Sequence, residues 1–216
     1  MANEYVNAEE LKEWLGIEGS DQDNTLELVA EAASRAVDSY CKRRFYLDDE
    51  PTPRVYAAEG RFVFVDDIGS TDGLVVETAD VPGSFDRTWT EGDHTGFGFL
   101  TQPLNALARG RPIERLESLA NRWPCGEGRV QVTAKWGWPS VPADVKQATL
   151  LQAQALWTPS GILQSAGGEA GVVAVSLEGS DSVTYESSNV SLLAAKELVG
   201  TAQSLLARYV RRRWVI

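Results

Sequence analysis

Apolar positions recur at two different periods along this chain, and the changes of period divide it. After Asn7, the residues Leu11, Trp14 and Leu15 fall three and four apart, the step of an amphipathic helix. Asn7 suits the N-cap, Glu10 completes a capping-box pattern, and Gly16 suits the position just past a helix end. A polar turn over 19–23 follows. Leu26, Val29, Ala33, Val37 and Tyr40 then predict a second helix over about 24–43. Ala30, Ala32, Ala33 and Ala36 keep that helix slim, and Lys42-Arg43-Arg44 put cations where its dipole favours them.

Asp48-Asp49-Glu50-Pro51-Thr52-Pro53 interrupts the helical pattern, and the period beyond it becomes two. Strands are expected at 54–56 and 61–65 around a Glu59-Gly60 turn. Asp66-Asp67-Ile68-Gly69 reads as another turn, and 73–78 as a third strand. The stretch 80–112 is rich in Gly, Asp, Thr and Pro, and Trp89, Phe97 and Phe99 are isolated anchors among loops and short strands. Further strands are expected at 113–119 and 128–136, where Val130, Val132 and Ala134 alternate with Gln131, Thr133 and Lys135.

Trp136-Gly137-Trp138-Pro139 and Pro142 then form a structural junction, because Pro142 stops a strand ladder but is tolerated in a first helical turn. A helix over 143–157 follows, broken by Thr158-Pro159-Ser160-Gly161. Val172, Val173, Val175 and Leu177 before a Glu178-Gly179-Ser180-Asp181-Ser182 turn, and Val183 and Tyr185 after it, read as a loose hairpin or an extended arm. This 160–189 stretch reads as a Gly/Ser-rich arm, mobile or ordered only against a partner. A last helix over 190–212 carries Leu192, Ala195, Leu198, Val199, Ala202, Leu205, Leu206 and Tyr209 on one face. The expected fold is α+β: a small bundle of three to four helices, an inserted β-rich module and a long C-terminal helix. The expected division is 1–50 helical, 51–140 β-rich, and 141–216 bundle helix, arm and C-terminal helix.

Composition adds a constraint. The 216 residues are 43% apolar, with seven tryptophans, and 20 basic against 31 acidic residues give a formal charge of −11. So acidic a chain does not bind nucleic acid through its surface as a whole. Cys41 and Cys125 are too sparse for a disulfide framework and fit a reducing compartment. No leader is expected at the N-terminus and no apolar run reaches the ~18 residues of a membrane span.

Candidate chemistry is thin. His94, the single histidine, sits in a Gly/Asp/Thr loop without a nucleophile motif beside it and reads as a surface residue. Asp48-Asp49-Glu50, Asp66-Asp67 and Glu91-Gly92-Asp93 do not match an EF-hand loop and read as solvated turns. The cysteines lack zinc-site spacing. Gly96-Phe97-Gly98 lacks the third glycine of a dinucleotide site. No catalytic, metal or cofactor residue is expected, and the chain does not read as an enzyme. The C-terminus runs against the overall charge: Arg208, Arg211, Arg212 and Arg213 fall within the last nine positions. Part of that is explained by the helix dipole. With Tyr209, Trp214 and Ile216 it also reads as a docking tail, since Arg and Trp are common interface anchors.

The ordered set of segments resembles the head-to-tail connector (adaptor) proteins of long-tailed bacteriophages. The residues that carry it are AEELKEWLGI, AVDSYCKRRF, RVY, FVFVDDIGS, VQVTAKWGWPSVPADVKQATLLQAQAL and the closing ARYVRRRW. The resemblance implies a virion protein of the neck, assembled in the host cytoplasm. It implies a ring of copies, a dodecamer matching the portal, which extends the DNA channel and presents a surface to the next neck or tail protein. The bundle would be 7–43, 143–158 and 190–212, with the insertion at about 51–140. The residues of 208–216 named above would engage the portal, and DNA would pass without specific binding. Alternatives are a head-closure or tail-terminator protein and, further off, a DNA-packaging regulator.

Overall fold

In a computed structural model of the chain, the residues described are 3–81, 83–124, 126–165 and 189–211. They form four α-helices and one six-stranded sheet, an α+β fold. Two compact units divide it: Met1–Lys42 with Pro142–Ile216, and Arg43–Val141.

The first unit is helical. In α1 (Ala8–Leu15) the Asn7 side chain accepts from the Glu10 amide at 2.7 Å, and Glu10 accepts from the Asn7 amide at 3.0 Å. Two amides a helix N-terminus leaves unpaired are thus satisfied reciprocally. Gly16, in the left-handed region at φ 67°, ends the helix as expected. α2 (Asp23–Cys41) buries Leu26, Ala30, Ala33 and Val37. Leu26, Ala30 and Ala33 join Val6, Leu11 and Ala153 in a core whose small side chains allow close helix approach. α3 (Ala143–Ser165) and α4 (Asn189–Leu206) pack on each other, and both touch α2.

Three expectations change in this unit. α2 stops at Cys41, with Lys42 left-handed at φ 54°, so Arg43 and Arg44 are not helix-end cations. α3 continues through Thr158-Pro159-Ser160-Gly161 to Ser165: adding turns to a helix already anchored by buried Ala148, Thr149, Ala153 and Ala155 costs less than starting one. α4 ends at Leu206 rather than 212, followed by a 3-10 turn, Ala207–Tyr209.

The second unit is the sheet: β1 (Thr52–Tyr56), β2 (Phe62–Thr78), β3 (Arg87–Glu91), β4 (Gly98–Gln102), β5 (Ile113–Ser118) and β6 (Val130–Trp136). Its order is β1-β6-β2-β3-β4-β5, and β5 also pairs with β2, closing a circuit of strands. Every pairing is antiparallel except β3 with β4. β6 alternates as its sequence predicts, with Val130, Val132, Ala134 and Trp136 buried. They meet Val63, Val65, Ile68, Val76 and Leu116 in the core, where Trp89 stacks on Trp123 at 3.9 Å.

The main correction here is β2. Asp66-Asp67-Ile68-Gly69 is not a turn but the middle of a 17-residue strand. Its first half pairs with β5 and its second with β6 and β3, and register shifts fall between Phe64 and Ile68, Ile68 and Ser70, and Ser70 and Val75. Such irregularities bend a strand without ending it, so β2 serves both sides of the circuit.

Candidate functional site

Two groups of predicted residues can be placed, one in each unit. In the sheet unit the junction residues are scaffold. Trp136 is 1% exposed; its indole donates to the Thr52 carbonyl at 2.8 Å, and its own carbonyl accepts from the Asp48 amide at 2.8 Å. Arg54 lies 4.3 Å above its ring. Trp138 is also buried and packs against Phe45, with ring centroids 5.2 Å apart. Its indole donates to Asp67 Oδ2 at 3.2 Å.

Asp67 is the residue the sequence reading missed. It was expected in a solvated turn, yet it is 5% exposed. Arg43 Nε stands 3.6 Å from Asp67 Oδ2, and Arg43 also bonds Glu114 at 3.2 Å. The Gly137 amide donates to the Asp67 backbone carbonyl at 2.7 Å. A carboxylate so far from water persists only because a guanidinium and an indole face it. Neighbouring Asp66 is paired as well, to Arg54 at 2.7 Å and to the Tyr56 hydroxyl at 3.1 Å. Burial first, and the Asp66 charge second, push the Tyr56 phenol well above its ordinary value. No sequence signal separates these aspartates from turn residues, because their partners lie 10 to 71 positions away.

Gly137 has φ +117°, and a Cβ there would come within 1.7 Å of the Tyr46 carbonyl oxygen. Only glycine fits between the two tryptophans. Pro139 is half-buried. Pro142 opens α3: its carbonyl accepts from the Val145 and Lys146 amides at 3.0 and 3.1 Å.

In the helical unit the described part of the basic tail is tied down. Arg208 pairs with Asp144 in the first turn of α3, and the Tyr209 hydroxyl bonds the same carboxylate at 3.3 Å. Arg208 also reaches the Tyr209 hydroxyl at 2.9 Å. The Arg211 amide donates to the Cys41 carbonyl at the end of α2, at 2.9 Å. Asp144 favours the positive end of the α3 dipole and supplies the counter-charge for Arg208. Arg212, Arg213, Trp214 and Ile216 lie outside the described residues. So do Val172, Val173, Val175, Leu177, Val183 and Tyr185 of the arm, and Cys125.

His94 is exposed in the loop after β3, as expected. Beside it, the hydroxyl and amide of Thr95 both donate to Asp93 and hold that carboxyl below its ordinary value. Among the described residues no group of three His, Cys, Asp or Glu side chains is arranged to hold a metal ion. In the same residues no helix is long and apolar enough to cross a membrane.

Comparison with known proteins agrees with the resemblance read from the sequence. Residues 7–60 match the family described as "Phage gp6-like head-tail connector protein". Among solved structures the fold is similar to a chain titled "Neck of empty GTA particle computed with C6 symmetry", with a TM-score of 0.53 and 15% identity. That likeness covers 98% of this chain and 92% of the other. No curated protein matches.

Proposed function

We propose that this chain is a structural protein of a phage-type neck: a head-to-tail connector whose copies form a ring below the portal and extend the DNA channel. The observation that carries this is the match of residues 7–60 to phage head-tail connectors. It covers α1, α2 and β1. The likeness of fold to a chain from a particle neck supports it over nearly the whole length.

The physical chemistry is compatible with that work. A formal charge of −11 disfavours adhesion to a phosphate backbone, so a channel of many copies lets DNA slide. The helices are the bundle; the segment from Arg212 onward is the portal-docking element, held at its root by Arg208, Tyr209 and Arg211. The 166–188 arm joins neighbouring copies, and the sheet unit faces a subunit or the next tail protein. Four helices packed in series, α1 on α2, α2 on α3 and α3 on α4, weigh against a head-closure or tail-terminator protein.

Electron microscopy of virion necks, and of the purified protein, tests the reading. The expected density is a ring of this chain coaxial with the portal, twelve copies round. Its absence from the neck would overturn the assignment.

A further inference from the structure

Two ordered surfaces of opposite charge are each dominated by one sign, and each displays one prominent leucine. The first is in the helical unit. A groove of roughly 670 Å³ lies along α2, lined among others by Glu4, Asn7, Asn24, Glu27, Leu28 and Glu31. Asn24, Glu27, Leu28 and Glu31 share one helical stripe, and Leu28 is 67% exposed. No cation among the described residues pairs with Glu27 or Glu31 within salt-bridge distance. Burial, then the charges of Glu31 and Glu27, hold the Glu4 carboxyl above its ordinary value, and the nearby Arg35, engaged with Asp38, offsets them only in part.

The second surface is in the sheet unit, between β4 and β5. The loop 103–111 is closed on itself: the Ala106 amide donates to the Pro103 carbonyl at 3.1 Å, Gly110 to Leu107 at 3.0 Å and Arg111 to Ala106 at 2.9 Å. Ala106 is buried in the core and Leu107 packs on it. The loop is thus a fixed knob. It presents Leu104, 55% exposed, with Arg109 and Arg111 exposed beside it. Neither guanidinium has a carboxylate partner among the described residues. In a chain of formal charge −11, two unpaired arginines on a rigid loop stand out.

We propose that the Leu104–Arg109–Arg111 knob of one copy seats in the Glu4–Glu27–Leu28–Glu31 groove of a second copy. The two patches differ, so the contact is head-to-tail, the kind that closes into a ring when the rotation fits. Arginine meets glutamate and leucine meets leucine at the centre, which selects partner and register. The inference rests on the ring reading above and names the surfaces that build the ring.

Two charge-reversed variants test it: R109E/R111E and E27K/E31K. Both alter exposed side chains only, so their melts should match the parent; R109A/R111A serves as a milder second variant. By analytical ultracentrifugation and negative-stain microscopy, each reversed variant alone should associate at least about tenfold more weakly than the parent. An equimolar mixture should regain the oligomer, because each knob then meets a groove of opposite charge on another copy. The proposal is overturned if either variant alone keeps the parental oligomer, if the mixture stays dissociated, or if the parent is monomeric at about 1 mM. Those outcomes leave the neck assignment standing, since the place of the protein in particles is read separately by microscopy of necks.

Discussion

The Trp138 indole donates to Asp67 Oδ2 across 3.2 Å, on the same oxygen that Arg43 Nε approaches at 3.6 Å. The three side chains are nearly or fully buried, so one carboxylate oxygen holds a strand, a loop and the chain entering the sheet unit. Removing Asp67 leaves the Trp138 indole unmet and the buried Arg43 facing only the half-exposed Glu114. Asp67→Ala should therefore cost about 3–5 kcal/mol, whereas replacing Arg43 and Asp67 together by Met and Leu should cost clearly less. Urea titrations of both variants decide this; equal losses would mean that the pairing is not what the site depends on.

Tryptophan truncation separates burial from geometry. Trp136→Ala and Trp138→Ala should each lose about 3–5 kcal/mol through the cavity and the unmet hydrogen bond. Trp136→Phe keeps most of the volume and loses only the bond to Thr52, so a loss of about 1–2 kcal/mol is expected. Thermal melts would expose a wrong assignment if the Ala variants were near neutral.

Gly137→Ala combines a left-handed backbone with a Cβ driven into the Tyr46 carbonyl. A loss of at least about 3 kcal/mol is expected, from strain plus displaced backbone. Gly16→Ala is the control: it shares the positive φ but has open space around it, and about 1 kcal/mol should be lost. Comparable melting temperatures for the two would contradict the close approach.

Truncation of the tail has a defined boundary. Removing 212–216 leaves Arg208, Tyr209 and Arg211 on Asp144 and Cys41, so the melt should be unchanged while binding to purified portal rings is lost. Removing 208–216 takes those anchors as well and should lower the melting temperature. Retained portal binding by the shorter truncation would move the docking element elsewhere.

Glu4 gives a pH dependence. Its carboxyl is held above the ordinary glutamate value in the fold, so the folded state keeps the proton longer than the unfolded chain. Stability from this group then falls as pH rises through that window, and is unaffected at pH values below both states' pKa. Glu4→Gln should raise stability at pH 7 by a small amount, within the ~0.5 kcal/mol of surface changes, and leave it unchanged near pH 3. A gain that is the same at both pH values would argue against a charge effect.

Local signals were legible and distant partners were not. Asn7, Glu10 and Gly16 set both ends of α1 because their bonds span three or four residues. The alternation of Val130 to Trp136 gave β6 because each side chain faces only in or out. Asp66-Asp67-Ile68-Gly69 has the letters of a turn, and what makes it strand are Arg54, Arg43, Glu114 and Trp138, none of them close in sequence. In the same way, α4 leaves its helix where Tyr209 meets Asp144, 65 positions earlier. Of the candidate surfaces, the basic tail was visible as composition, but the groove on α2 and the knob at 103–111 needed the folded backbone to set charges side by side.

Among the described residues β1 pairs only with β6, and Pro53 sits within it. This rim of the sheet is five residues long and carries one position that has no amide hydrogen to offer. Crowded copies of the chain thus have a poor template for zipping sheet to sheet into fibres. Of the two strands that the closed circuit leaves outside, β6 is covered on both edges, and resistance to such zipping is written into β1.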